Sequence, residues 1–224
     1  MNNFIKIFCL HHTDVPERKE TLTSFFDKYN IRVEWVESFH PSTEKVKEAK
    51  LNSPLTVSEI SICMKQFWVL NKIVNKNIPY ALLLEDDVHL EGIDDFRYFI
   101  NRCLSEMKDL KGDLTFVGEC CGFKPRNVTP DKYVYYQPDY ESRCAHAIII
   151  KRRSAELCIK YTNDNDLPMD HKYNQMIQFE KLRTCHTEPS ILQNSIGQGN
   201  LNSYEGTIIR SGDWVDGKMT KKHT

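Results

Sequence analysis

Residues 79–87 read Pro79-Tyr80-Ala81-Leu82-Leu83-Leu84-Glu85-Asp86-Asp87. Ala81 to Leu84 is an apolar run without alternation, as expected of a central strand covered on both faces, since a strand with one wet face alternates apolar with polar. If strand geometry persists through the acids that follow, Glu85 and Asp87 point to one side and Asp86 to the other. Two carboxylates converging at the rim of an apolar strand are costly unless a cation or donor groups neutralise them. All-oxygen ligands favour a hard ion such as Mg2+ or Mn2+ over Zn2+, and the sequence shows no His/Cys cluster with zinc spacing. A solvated turn is the competing reading of three acids after a strand.

Upstream of this strand, Thr56-Val57-Ser58-Glu59 is a capping box opening a long helix, with Ile60, Cys63, Met64, Phe67, Leu70 and Val74 on its buried stripe. Residues 40–54, polar and bracketed by Pro41 and Pro54, predict a flexible loop. Nearer the N-terminus, Phe4 to Leu10 forms a strand. Asp14 and Glu17 have capping-box spacing, and Leu22, Phe25, Phe26 and Tyr29 share a helical face before a second strand through Ile31, Val33 and Trp35. Downstream come a helix bearing Phe96, Phe99, Ile100, Cys103, Leu104 and Met107 and a strand from Leu114 to Val117 closing on Gly118. Further strands are expected at Tyr133 to Tyr136, Ala145 to Ile150 and Leu182 to His186, with helices at Ser154 to Tyr161 and Asp170 to Phe179. The alternation predicts an α/β fold with a mostly parallel central sheet, whose ligands lie beyond the carboxyl ends of the strands. Glycine, asparagine and serine dominate from Asn194 on, so residues 1–193 read as the domain and 194–224 as a polar, partly flexible tail.

A chain of 224 residues suits one domain, and 40% apolar content excludes global disorder. A formal net charge of −1 gives no global attraction to nucleic acid or an anionic membrane. No apolar run approaches the ~18 residues of a membrane span, and the first residues lack a signal-peptide core, so the expectation is a soluble, cytoplasmic protein. Eight cysteines without a C-x-x-C pair, several inside apolar runs, fit a reducing compartment. Composition leaves the oligomeric state open.

In ordered blocks from Ile5 to Gln193, the sequence resembles glycosyltransferase family 25, which includes lipooligosaccharide and collagen galactosyltransferases. The blocks are strand one with Glu17-Arg18 in the following helix, Leu55-Thr56-x-x-Glu59-Ile60, Ala81 to Val88, Asp113 to Gly118, Cys144-Ala145-His146-Ala147, Pro168-x-Asp170 and Glu188-Pro189. The resemblance implies a GT-A-type, Rossmann-like α/β/α sandwich. It also implies a metal-dependent, inverting transfer of a hexose from a UDP-sugar to a hydroxyl of a saccharide or hydroxylated peptide. By the same analogy Asp87 and Glu85 would hold Mn2+ or Mg2+, Leu10, His11, Arg18, Glu85 and Asp86 would contact the donor, and Asp170 would be the catalytic base. Departures are Cys9-Leu10 where the family commonly has Asn-Leu, an Arg18 about two residues late, and Lys65-Gln66 in place of a Ser-His pair.

Other residues carry rival readings. Asp170 after Pro168 also suits a helix N-cap. His171, His186 and Gln193 are alternative third metal ligands, whereas His146 inside an apolar strand fits a core residue, and adjacent His11 and His12 fit a solvated loop. Cys120-Cys121 could line the cleft, Tyr133, Tyr135 and Tyr136 fit packing on the sheet, and Trp35 and Trp68 fit the core. A non-catalytic nucleotide- or glycan-binding relative and a metal-dependent phosphohydrolase remain as rivals to the transferase.

Overall fold

The computed structural model describes residues 5–90, 93–118, 128–137, 145–162 and 166–193, and the strand pairs at 214–215 and 218–219. Its elements are β1 (Lys6–Leu10), α1 (Pro16–Lys28), β2 (Val33–Val36), α2 (Glu44–Lys50), α3 (Val57–Asn75), β3 (Tyr80–Glu85), β4 (Val88–His89), α4 (Phe96–Asp109), β5 (Leu114–Gly118), β6 (Val134–Tyr136), β7 (Ala147–Lys151), α5 (Arg152–Thr162), α6 (Met169–Glu180), β8 (Thr184–Gln193), β9 (Trp214–Val215) and β10 (Lys218–Met219). Strands run in the order β2-β1-β3-β7-β5-β8-β4, with β6 added to β8. β2, β1, β3, β5 and β8 share one direction, and β7 is inserted between β3 and β5 against them. The five main strands therefore bring their carboxyl ends to one edge.

Strand alternation sorts side chains onto two helical layers. Phe8, Leu10, Ala81, Leu83, Phe116, Ile148 and Ile150 meet α2, α3, α5 and α6. Ile7, Cys9, Leu82, Leu84, Ala147 and Ile149 meet α1 and α4 through Leu22, Phe26, Phe96, Ile100 and Met107. The result is an α/β/α sandwich in which β3 is buried on both faces, as its unbroken apolar run requires.

The Thr56–Glu59 capping box forms with both reciprocal bonds: the Glu59 N–H donates to Thr56 Oγ1 at 3.2 Å, and the Thr56 N–H to Glu59 Oε2 at 2.7 Å. The expected box at Asp14 does not form. Val15 is the N-cap of α1 without a side-chain bond, and Asp14 turns to His40 instead, at 3.0 Å. Residues 40–54 are not a plain loop, because they contain α2, anchored by the fully buried Val46. The buried face of α3 includes Lys65 and Gln66 as well as Ile60, Cys63 and Leu70, whereas Trp68 lies 37% exposed beneath Lys72 rather than in the core.

β8 is longer than its sequence signal. Its pairing with β5 shifts between Phe116↔His186 and Gly118↔Ile191, and beyond the shift it pairs with β4 through Val88↔Gln193 and His89↔Leu192. Beyond that irregularity, β8 carries Gln193 to Asp87. β9 and β10 pair with each other antiparallel; residues 194–213, most of the expected tail, lie outside the described residues.

Candidate functional site

β3 delivers its acids to the carboxyl edge, and the β alternation continues as far as Asp86. Glu85 follows Ala81 and Leu83 towards the α3/α6 layer, and Asp86 follows Leu82 and Leu84 towards α1. Main-chain bonds hold the turn: the Glu85 N–H donates to the His146 carbonyl at 2.8 Å and the Asp86 N–H to the Leu10 carbonyl at 3.1 Å.

Asp86 is buried, and both its oxygens are engaged. Oδ2 accepts from His11 Nδ1–H at 2.8 Å and from the His12 N–H at 2.7 Å, while Oδ1 accepts from Arg18 at 3.1 Å. Burial alone would raise this carboxyl, but the His11 and His12 hydrogen bonds and the Arg18 charge outweigh it and hold Asp86 below the ordinary carboxylate range. Asp86 therefore staples the β1–α1 loop to the end of β3. His11 is buried between this carboxylate and the edge of Trp35, so it is no solvated loop residue, and Leu10 packs in the core. Arg18 is a quarter exposed. Burial, then the nearby Lys65, lowers the His12 pKa.

Glu85 and Asp87 lack such cover. Asp87 Oδ2 accepts from the Gln193 amide at 2.9 Å, but Oδ1 is buried with no hydrogen-bond partner. Burial and the neighbouring Asp86 push the Asp87 carboxyl up to about 6, even with Arg18 and Gln193 pulling the other way. Glu85 is raised well above its ordinary value by burial, then by Asp87, Asp86 and Asp170. These shifts place Asp170, in the first turn of α6, in the same field. Asp170 does not cap the helix: Pro168 is the N-cap, and Asp170 Oδ1 accepts from the His171 N–H at 2.9 Å.

Lys65, singled out in the sequence only as a departure from the family pattern, is a buried cation of the site. It is 1% exposed, and its Nζ donates to the His11 carbonyl at 2.7 Å. Burial lowers its pKa while Asp86 and Glu85 raise it, which puts the ammonium between the acids and the β1 loop. Gln66 beside it accepts from the Tyr173 hydroxyl at 2.8 Å, tying α3 to α6. The available signal was a lysine on an otherwise apolar helical face.

Among the rival third ligands, Gln193 reaches Asp87, whereas His186 stacks on Phe116 at 5.1 Å between ring centres. His146 is a core residue as expected. Cys120 and Cys121 lie outside the described residues. Tyr135 is buried and donates to the Lys132 carbonyl at 2.7 Å, while Tyr136 lies under Arg183. No helix among the described residues is long and apolar enough to cross a membrane.

Residues 4–173 match the family model described as Glycosyltransferase family 25 (LPS biosynthesis protein). A Haemophilus influenzae protein assigned provisionally to the glycosyltransferases is 22% identical over 220 residues, spanning 93% of this chain and 77% of its own length. Among solved structures, a glycosyltransferase involved in glycosylation of the major capsid of PBCV-1 aligns with a TM-score of 0.49 at 13% identity, over 84% of this chain and 91% of that one. A197 from STIV aligns with a TM-score of 0.46 at 12% identity, over 81% of each chain.

Proposed function

The chain belongs to glycosyltransferase family 25, and on that premise we propose that it is a metal-dependent, inverting enzyme that moves a hexose from a UDP-sugar to a hydroxyl of a saccharide or hydroxylated peptide. Family membership carries the glycosyl transfer; the metal, the donor and the stereochemistry are our reading. One observation supports it above the others. Asp87 Oδ1 is buried without a hydrogen-bond partner beside Glu85, and both carboxyls stay raised by burial and by neighbouring acids even with Lys65 and Arg18 close by. Such a pair suits a hard divalent cation.

The remaining steps fall to this chain's own groups. Asp87 and Glu85 would hold Mn2+ or Mg2+, which when bound supplies positive charge opposite a departing nucleoside diphosphate. Asp86 fixes His11, His12 and Arg18; in this reading Leu10 and His11 would shape the floor of the donor site and Arg18 would supply positive charge to the diphosphate. Lys65 adds a second positive charge under the same loop. Asp170, on the opposite layer and close enough to raise Glu85, takes the acceptor hydroxyl's proton as that oxygen attacks, which an inverting displacement requires.

The test is UDP release from a panel of UDP-sugars, with Mn2+ and with chelator. Metal-dependent release that requires an acceptor and is lost in Asp87→Ala supports the proposal. No release from any donor, by a protein that still binds UDP with Mn2+, refutes turnover; phosphate release from simple esters would indicate a hydrolase.

A further inference from the structure

His12, Asp14 and His40 converge outside the acid cluster, on the far side of the β1–α1 loop. One ligand atom from each lies within 4.8 Å of the other two, the single such trio of His, Cys, Asp or Glu donors among the described residues. His40 Nε2 and Asp14 Oδ2 are 3.0 Å apart. That nitrogen is nevertheless buried and makes no hydrogen bond, because the contact is out of line for one. Donors bound tetrahedrally to a zinc-like ion at its usual bond lengths stand about 3.3 Å apart, so the spacing is already close to that of two ligands sharing one ion.

Local structure holds the three in place. Ser42 fixes the His40 ring, its hydroxyl 2.7 Å and its amide 3.2 Å from Nδ1. The Ser42 N–H donates to Nδ1, so the neutral ring carries its proton on Nε2, and a metal at Nε2 would displace that proton while Ser42 keeps the ring oriented. The His12 ring lies 5.1 Å from His40 at 63°, and the Asp14 amide turns back towards His12 Nδ1 at 3.4 Å. An Asp14–His40 ion pair accounts for two of these side chains, and the His12 ring, packed on His40, brings a third donor to the same point.

We infer that His12, Asp14 and His40 form a cation site for a borderline divalent metal of the Zn2+ type, separate from the carboxylates at the end of β3. Two imidazoles and one carboxylate select zinc, cobalt or nickel over magnesium or calcium, the reverse of an all-oxygen site. Three protein ligands leave a further position for water or a ligand oxygen. The site would clip the loop after β1 to the segment after β2. Because the His12 N–H is bonded to Asp86 at 2.7 Å, the clip bears on the same loop that carries His11 and Arg18 to the donor side.

The test uses the full chain without added histidines and Co2+ as the probe, because its visible spectrum reports ligand type. One equivalent of Co2+ should give visible d–d bands without a thiolate charge-transfer band, and Zn2+ should displace it. Asp14→Asn and His40→Gln should each weaken Co2+ binding by at least about 100-fold, more than loss of an outer-shell partner costs, while Asp87→Ala leaves the bands unchanged. Asp14 is 68% exposed, so Asp14→Asn decides the matter even if His40→Gln does not fold. Absence of bands at equimolar Co2+, a thiolate band, bands unaltered in Asp14→Asn, or bands lost in Asp87→Ala would each overturn the inference.

Discussion

A methyl group on Gly118 would stand 2.2 Å from Nε2 of His146, so the missing side chain at the end of β5 is what admits the imidazole. Seated there, His146 donates from Nε2–H to the Ile191 carbonyl at 2.9 Å, just past the register shift in β8. Ile191 lies two residues before Gln193, whose amide grips Asp87. A vacancy in one strand thus sets the position of a partner to the site's central carboxylate.

Gly118→Ala should therefore displace His146 and break its bond to Ile191. The expected loss is about 2–4 kcal/mol from overpacking and a broken buried hydrogen bond. Urea denaturation measures it, and transfer activity should fall further than the loss of folded protein explains.

His146 and His186 are both depressed to about 4, in each case by burial. The unfolded chain takes up these protons near pH ~6.5. Between that pH and about 4 it binds protons the folded chain refuses, so stability falls as pH falls, by about 2 kcal/mol per histidine from pH 7 to 5. Denaturation of parent and His146→Gln at both pH values checks this: the variant should lose about half of the histidine-linked slope. Comparing the two chains cancels the opposite contribution of Glu85 and Asp87.

Asp87→Asn should stabilise the metal-free protein while abolishing transfer. A carboxyl held at about 6 when folded but near ~3.9 when unfolded costs folding energy at pH 7, and the cost vanishes below the unfolded value. A gain of about 1–2 kcal/mol at pH 7 that disappears by pH 4, read by thermal melts in chelator, is expected.

Asp86→Ala should do the reverse. It leaves His11, the His12 amide and Arg18 without their common acceptor, at about 3–5 kcal/mol for a broken buried ion pair. UDP affinity should fall together with Tm.

Asp170→Asn separates chemistry from binding. Loss of the proton acceptor should lower kcat by about 10²–10⁴-fold with donor affinity preserved. Unchanged kcat removes Asp170 from the base role.

The fold was legible where local chemistry and tertiary packing agree. The unbroken run Ala81 to Leu84 is a doubly covered strand, and Thr56 with Glu59 caps α3 as its spacing implies. Sequence failed where a distant partner competes. Asp14 leaves its capping position for His40, a residue on the segment beyond β2 that no local window contains. Val46 and Ala49 are the only apolar residues of α2, too few to set a period that announces the helix. The sequence shows no His/Cys cluster with zinc spacing, and spacing along the chain could not show that His12 and His40 meet in space. The acids of the site were visible as a triplet, but the division of labour among them was not. It arises because Asp86 finds three donors on the α1 side and Asp87 finds one.

The parity of β3 is heritable information. Leu10 pairs with Glu85 at the top of the strand, and each residue below alternates between the two helical layers. Deleting one codon anywhere between Tyr80 and Leu84 would keep the composition nearly intact yet rotate the acids by half a turn, handing the Arg18 staple to the wrong carboxylate. Substitution can drift in this strand, but its length cannot, and surviving insertions and deletions in descendants of this gene should be confined to the connections around it.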